Sequence, residues 1–194
     1  TGRSMLGAAP AQNRRTVRER VANSAFRELT VEFLLRLKGV EGVFTPVRIG
    51  SGWLDVRVKD GVLTAGVRAG EAATSVSAAL PAGPWVHVAL RWRAGDVLGL
   101  LLDGNFAAAS PACGDAAPAS SASGLWSQTR VLATSRSRGN ASAVLQLRNF
   151  RIWDTLRTPA ALLRDCNSSI DGRERGLLVS ACPLQSLQTE RMFR

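Results

Sequence analysis

The sequence predicts an all-β fold, an antiparallel β-sandwich with one short helix near the C-terminus. Apolar and polar residues alternate with period 2 through several short segments. Turn signals such as Asp60-Gly61 separate those segments. The chain has 194 residues, 45% of them hydrophobic, which suits one sandwich domain. Aromatic residues make up 6% and there is no Tyr, so aliphatic side chains must fill most of the core.

In Thr30–Leu37 (TVEFLLRL), Val31, Phe33, Leu35 and Leu37 share one face, and Thr30, Glu32, Leu34 and Arg36 share the other. This is the pattern of a half-buried strand. A helix over Arg14–Leu37 suits the Arg, Glu and Ala content, but the alternation favours strand in its second half. Trp53–Val58 alternates in the same way, and Asp60-Gly61 returns the chain into Val62–Arg68. The Pro81-Ala82-Gly83-Pro84 cluster marks a turn. In Trp85–Trp92 (WVHVALRW), Val86, Val88, Leu90 and Trp92 oppose Trp85, His87, Ala89 and Arg91. Ala94-Gly95-Asp96 leads into Val97–Leu102, which Asp103-Gly104-Asn105 closes.

Residues 107–124 are rich in Ala, Ser, Pro and Gly and are expected to form a surface loop within one domain spanning 14–194. Residues 1–13 are expected to be an extended lead-in. Val144–Trp153 changes phase: Leu145 and Leu147 share one parity, Phe150 and Ile152 the other. A bulge near Arg148-Asn149 would turn all four to the core. Thr158-Pro159 is a helix start, with Thr as N-cap and Pro at the first position. Gly176–Leu184 is a last strand candidate.

Lys and Arg number 25 against 15 Asp and Glu, a net charge of +10, and the pI is about 11.3. That field attracts polyanions such as acidic glycans or acidic proteins. The cations are dispersed, and no zinc-finger, helix-turn-helix or RNA-binding aromatic pattern accompanies them, so nucleic acid is not expected. No apolar run approaches the roughly 20 residues of a spanning helix, so direct membrane insertion is not expected either. The chain starts at Thr1, and the expectation is a processed product or a piece of a longer chain or assembly.

Cys166 and Cys182 are expected to form a disulfide, leaving Cys113 over. Asn140 and Asn167 head glycosylation sequons. Together these point to an extracellular or cell-surface location. Catalysis finds little support. No two acids stand at i and i+2, the spacing that puts both on one strand face; Glu28 and Glu32 are four apart, Asp171 and Glu174 three. The single histidine, His87, has no Gly-x-Ser-x-Gly nucleophile elbow to serve, and is expected to pack or hydrogen-bond. Asp96, Asp103 and Asn105 sit at turn ends, where a hard cation such as Ca²⁺ binds through oxygen, although such residues commonly only make turns. No other cofactor is expected. Trp92 is expected in the core, and Trp126 in the core or as a loop anchor.

Three stretches resemble the laminin-G-like and pentraxin-like domains of the concanavalin A-like lectin and glucanase superfamily. GPWVHVALRWRAGDVLGLLLDGN (83–105) is similar to that family's Trp-x-His-Val-Ala strand and its Leu-x-Asp-Gly turn. LQLRNFRIWDTLRTPAALL (145–163) is similar to its penultimate strand and following helix. TVEFLLRL resembles its Thr-Val-Glu-Phe-Trp strand, with Leu34 and Leu35 lacking the usual Trp. The resemblance spans roughly Arg14 to Leu184. It implies a jelly-roll sandwich and a non-catalytic binding or adhesion module that takes glycan or an acidic protein, often through calcium at the rim. The family's acidic cluster has no counterpart here. A structural sandwich within a larger assembly, with no small ligand, is the alternative.

Overall fold

A computed structural model describes residues 27–39, 42–69, 71–111, 130–131, 144–168, 170, 174–181 and 185–187. The strands among them are β1 (Glu28–Lys38), β2 (Val43–Ile49), β3 (Leu54–Lys59), β4 (Val62–Ala69), β5 (Ala72–Ala79), β6 (Trp85–Arg93), β7 (Val97–Leu102), β8 (Asn105–Pro111), β9 (Arg130–Val131), β10 (Val144–Trp153), β11 (Leu177–Ala181) and β12 (Gln185–Leu187). A single-turn 3-10 segment, Gly50–Gly52, joins β2 to β3, and one helix, α1 (Pro159–Asp165), follows β10. The larger sheet runs β11-β10-β1-β6-β7-β8, with β12 also on β10; the smaller runs β5-β4-β3-β2-β9. Their pairings are antiparallel. The described residues therefore form the expected sandwich with one short helix.

The alternation read in the sequence sorts side chains between the two faces. Val31, Phe33, Leu35 and Leu37 of β1 and Val86, Val88, Leu90 and Trp92 of β6 are buried between the sheets. They meet Phe44, Ile49, Leu54, Val56 and Leu63 of the smaller sheet within one core cluster. Trp92 packs edge-to-face on Trp53, with ring centroids 5.0 Å apart, an arrangement that aligns a ring edge with a π face. The tight turns follow the residues that favour them: Asp60 and Gly61 take φ of 50° and 77°, and Asp103 and Gly104 take 49° and 75°.

Two strands carry weak sequence signals. β2 contains Pro46, which has no N–H to give the ladder, and its register with β3 shifts between Phe44 and Val47. β5 (AATSVSAA) is an edge strand in which Val76 alone is a large buried residue. β8 runs to Pro111, so residues 107–111 are strand; the rest of the expected loop lies outside the described residues.

The expected bulge in β10 is present. The register with β1 passes from Glu32↔Arg151 to Leu34↔Arg148, so two residues, Asn149 and Phe150, face Phe33. Asn149 takes φ 54° and donates from Nδ2 to the carbonyl of Cys166 at 3.0 Å. The extra residue turns Leu145, Leu147, Phe150 and Ile152 inward together. It also leaves both Arg148 and Arg151 on the outer face.

A left-handed backbone penalises a β-branched side chain by about 1–2 kcal/mol relative to glycine. Asn149→Val is therefore expected to lower the urea unfolding free energy more than Asn149→Gly, by about that margin. The reverse order would contradict the bulge.

Candidate functional site

The outer face of the larger sheet carries two adjoining arrays of polar side chains. The first is buried. Glu32 is 1% exposed, and its carboxylate accepts from His87 Nε2 at 2.9 Å and from Trp153 Nε1 at 2.8 Å. Arg151, 3% exposed, brings Nη1 to 3.5 Å from the same carboxylate. An isolated buried carboxylate would be costly, so these donors and this cation are what permit it. Arg151 also donates to the carbonyls of Asp165 (2.6 Å) and Ser168 (2.5 Å), at the C-terminal end of α1, where a cation complements the helix dipole.

The segment from Asp154 to Ser168 is thereby clasped onto the sheet. Thr30 Oγ1 donates to the Thr155 carbonyl at 2.6 Å and accepts from Arg157 N at 3.0 Å. The Arg157 guanidinium lies 4.0 Å above the Trp153 ring and pairs with Asp165. Thr158 caps α1, its Oγ1 accepting from Ala161 N at 3.2 Å. Leu162 packs on Ala89 and Leu101, and all three are fully buried. Gly104 makes room for this approach, since a Cβ there would stand 2.3 Å from Leu163 Cγ. The half-buried strand expected at Thr30–Leu37 is thus covered on both faces as far as Leu34.

The second array is open. Beyond Leu34 the same face carries Arg36 and Lys38 of β1, Trp85 of β6 and Arg148 of β10. Arg36 stands directly across from Trp85 in the β1–β6 register. The Arg148 guanidinium reaches over β1 and lies 4.4 Å above the Trp85 ring. Arg36 Nε donates to the Gly83 carbonyl at 2.8 Å, which ties it to the turn before β6. Arg36, Trp85 and Arg148 are half-buried and Lys38 is exposed. No carboxylate among the described residues pairs with any of these three cations. Several other surface arginines face a carboxylate: Arg48 and Arg57 share Asp55, Arg93 meets Glu28 and Asp96, and Arg164 meets Asp165. Arg164 beside it holds the Asp165 carboxyl below the usual carboxylate range.

The expected site residues fall in several places. His87 is hydrogen-bonded, as expected. Asp96 lies in the β6–β7 turn against Arg93, at 3.2 Å. Asp103 and Asn105 lie at the other end of β7. Asp103 Oδ1 accepts from His87 N at 2.8 Å, and Asn105 Nδ2 donates to the Asp103 carbonyl at 3.2 Å. The structure does not bring the three together, and no group of three or more His, Cys, Asp or Glu among the described residues could hold a metal ion. Cys166 is buried and has no disulfide partner among the described residues, and Cys182 and Cys113 lie outside them. Burial, then the negative charge of Glu32, pushes the Cys166 thiol up. That keeps it protonated, the reverse of an activated nucleophile. Asn167 is exposed in the turn after α1; Asn140, Asp171 and Trp126 lie outside the described residues. Trp92 is in the core as expected.

Sequence reasoning missed the open array. Its members are separated along the chain, and the clue was available only in combination: the outward parity of Arg36 and Trp85, and the phase change that sends Arg148 outward.

No known family profile matches the sequence, and no curated protein is similar to it. Solved structures do resemble it. A botulinum neurotoxin type C structure, described with dependence of cell entry on two ganglioside molecules, matches at TM-score 0.60 and 13% identity, over 76% of this chain and 37% of that one. The binding domain of botulinum neurotoxin DC in complex with rat synaptotagmin II matches at TM-score 0.61 and 10% identity, over 76% and 37%. A Bacteroides ovatus protein whose suggested role is carbohydrate binding matches at TM-score 0.57 and 17% identity, over 81% and 45%. This chain spans less than half the length of each. At these identities the likeness is one of fold.

Removing the carboxylate in Glu32→Ala leaves the buried Arg151 charge without its counter-ion and His87 Nε2 and Trp153 Nε1 without their acceptor. The expected cost is about 3–5 kcal/mol of unfolding free energy in urea. A loss below about 1 kcal/mol would show that the clasp does not depend on this group.

Proposed function

We propose that this chain is a non-catalytic extracellular binding module whose ligand is an acidic glycan, held on the open array of Arg36, Lys38, Trp85 and Arg148. The observation that carries this reading is the uncompensated charge. These cations share one face with a half-buried indole and have no acidic partner among the described residues, whereas Arg48, Arg57, Arg93 and Arg164 each face one. A surface left positive in this way draws anionic ligands. Solved structures of similar fold are described with a ganglioside interaction, a synaptotagmin complex or a suggested carbohydrate-binding role, which supports a binding role of this general kind. The laminin-G character of the domain rests on the motifs at 83–105 and 145–163.

An extracellular setting is part of the proposal. Asn167 is exposed, as glycan attachment requires. The pairing of Cys166 with Cys182 belongs to the same proposal. Material secreted from a eukaryotic host should carry glycan at Asn167 and a peptide linking the two cysteines in mass spectra. Bare Asn167 with reduced Cys166 would contradict the location.

A second reading, a module docked on protein within a larger assembly, draws on Phe106. It is 58% exposed, and the Arg91 guanidinium lies 5.6 Å from its ring centroid. An aromatic residue beside an arginine is the composition of a protein-binding hot spot.

A glycan array separates the two. Acidic glycans should bind at about 0.15 M salt and lose most of their signal near 1 M, where the Debye length falls from about 8 to about 3 Å. Neutral glycans should stay silent. Silence on every glycan would overturn the first reading in favour of the second.

A further inference from the structure

The open array holds one side chain in a special setting. Arg148 stands at the outward side of the β10 bulge, and its guanidinium lies on the Trp85 ring, 4.4 Å from the centroid. A stacked guanidinium loses rotational freedom while keeping its in-plane N–H edge available. Among the described residues the buried Arg148 Nε has no hydrogen-bond partner. Arg36, anchored by Nε on Gly83, stands directly across from the same indole.

Resting on the reading above, we propose that Arg148 on Trp85 is a preorganised oxyanion receptor, with Arg36 as its second prong. Its ligand is a sulfate ester or carboxylate borne on a glycan. The fork of a guanidinium matches either group with two parallel N–H···O bonds, which a lysine ammonium cannot reproduce. Recognition then depends on fixed geometry as well as on charge. A glycan is favoured over a protein because the array is a cationic patch on a sheet face, with Trp85 itself half covered. A protein-binding core would need exposed apolar anchors there, and the exposed large apolar residues Val43, Val62, Phe106 and Leu163 lie elsewhere.

The test is calorimetric titration of the whole chain with a chondroitin sulfate hexasaccharide, its unsulfated counterpart, chitohexaose and a decaglutamate peptide. Binding of the sulfated sugar is expected, and Arg148→Lys and Arg148→Ala should each weaken it by at least about tenfold. Trp85→Leu, which keeps every charge, should also weaken it, whereas Lys38→Ala should cost less than about fivefold. Unchanged urea midpoints would confirm that the variants are folded. Retained binding of the unsulfated sugar assigns the carboxylate as the anchoring group; its loss assigns the sulfate. Arg148→Lys binding as tightly as the unsubstituted chain would overturn the receptor while leaving the acidic-glycan reading standing. No binding of either acidic sugar by the unsubstituted chain would overturn both. Tighter, Arg148-dependent binding of decaglutamate would reassign the site to an acidic protein and overturn the glycan.

Discussion

The Glu32 carboxylate, buried on what would otherwise be the outer face of the larger sheet, sets the terms for its surroundings. A carboxylate at 1% exposure persists only if its charge is answered. The answers come from three other places in the fold: His87 on β6, and Trp153 and Arg151 on β10. Trp153 lies 121 residues away in the chain, so the contact also pins the first described strand to one of the last. Arg151 passes the constraint on by gripping the carbonyls at the end of α1. The helix is short, and at this length its own hydrogen bonds do not hold it. It stays because Leu162 is buried on Ala89 and Leu101 and its C-terminal carbonyls are tied down.

That clasp divides the face. Where it lies, the strands are buried on both sides, and Thr30, Glu32, His87 and Ala89 are inaccessible. Where it ends, no described segment covers the sheet, and the residues there are basic and aromatic. The β10 bulge serves both halves. Without the extra residue at Asn149-Phe150, either Leu145 and Leu147 or Phe150 and Ile152 would point out of the core. With it, all four point inward, Arg151 falls under the clasp, and Arg148 falls on the bare side beside Trp85. One irregularity thus repairs the core and places the cation on which the binding proposal depends. Bulges commonly re-aim side chains near functional surfaces.

Much of this was legible because it is local. The alternation in β1 and β6, the Asp-Gly turns, the Thr158 cap and the phase change in β10 each lie within a few residues of sequence. β2 and β5 were harder for stated reasons: Pro46 interrupts the first, and the second is nearly all Ala, Ser and Thr. The period-2 alternation in β1 predicts a half-buried strand, with Glu32 on its outward face. Nothing local tells that three partners from distant strands will bury it. The open array escaped for the same reason. Arg36, Trp85 and Arg148 are ordinary residues on three strands, and only the sheet order β10-β1-β6 makes them neighbours. The turn residues Asp96, Asp103 and Asn105 stood out locally, yet the fold divides them between the two ends of β7.

The central claim is that the bare, basic end of this face is where the ligand sits. The most direct measurement is a nitrogen–proton correlation spectrum of the labelled chain, titrated with chondroitin sulfate hexasaccharide and followed at the tryptophan indole N–H signals. The account predicts that the Trp85 indole signal shifts with saturation, while those of Trp53, Trp92 and Trp153, buried in the core or under the clasp, stay in place. A saturable change that leaves Trp85 unmoved would place the ligand elsewhere and contradict the account.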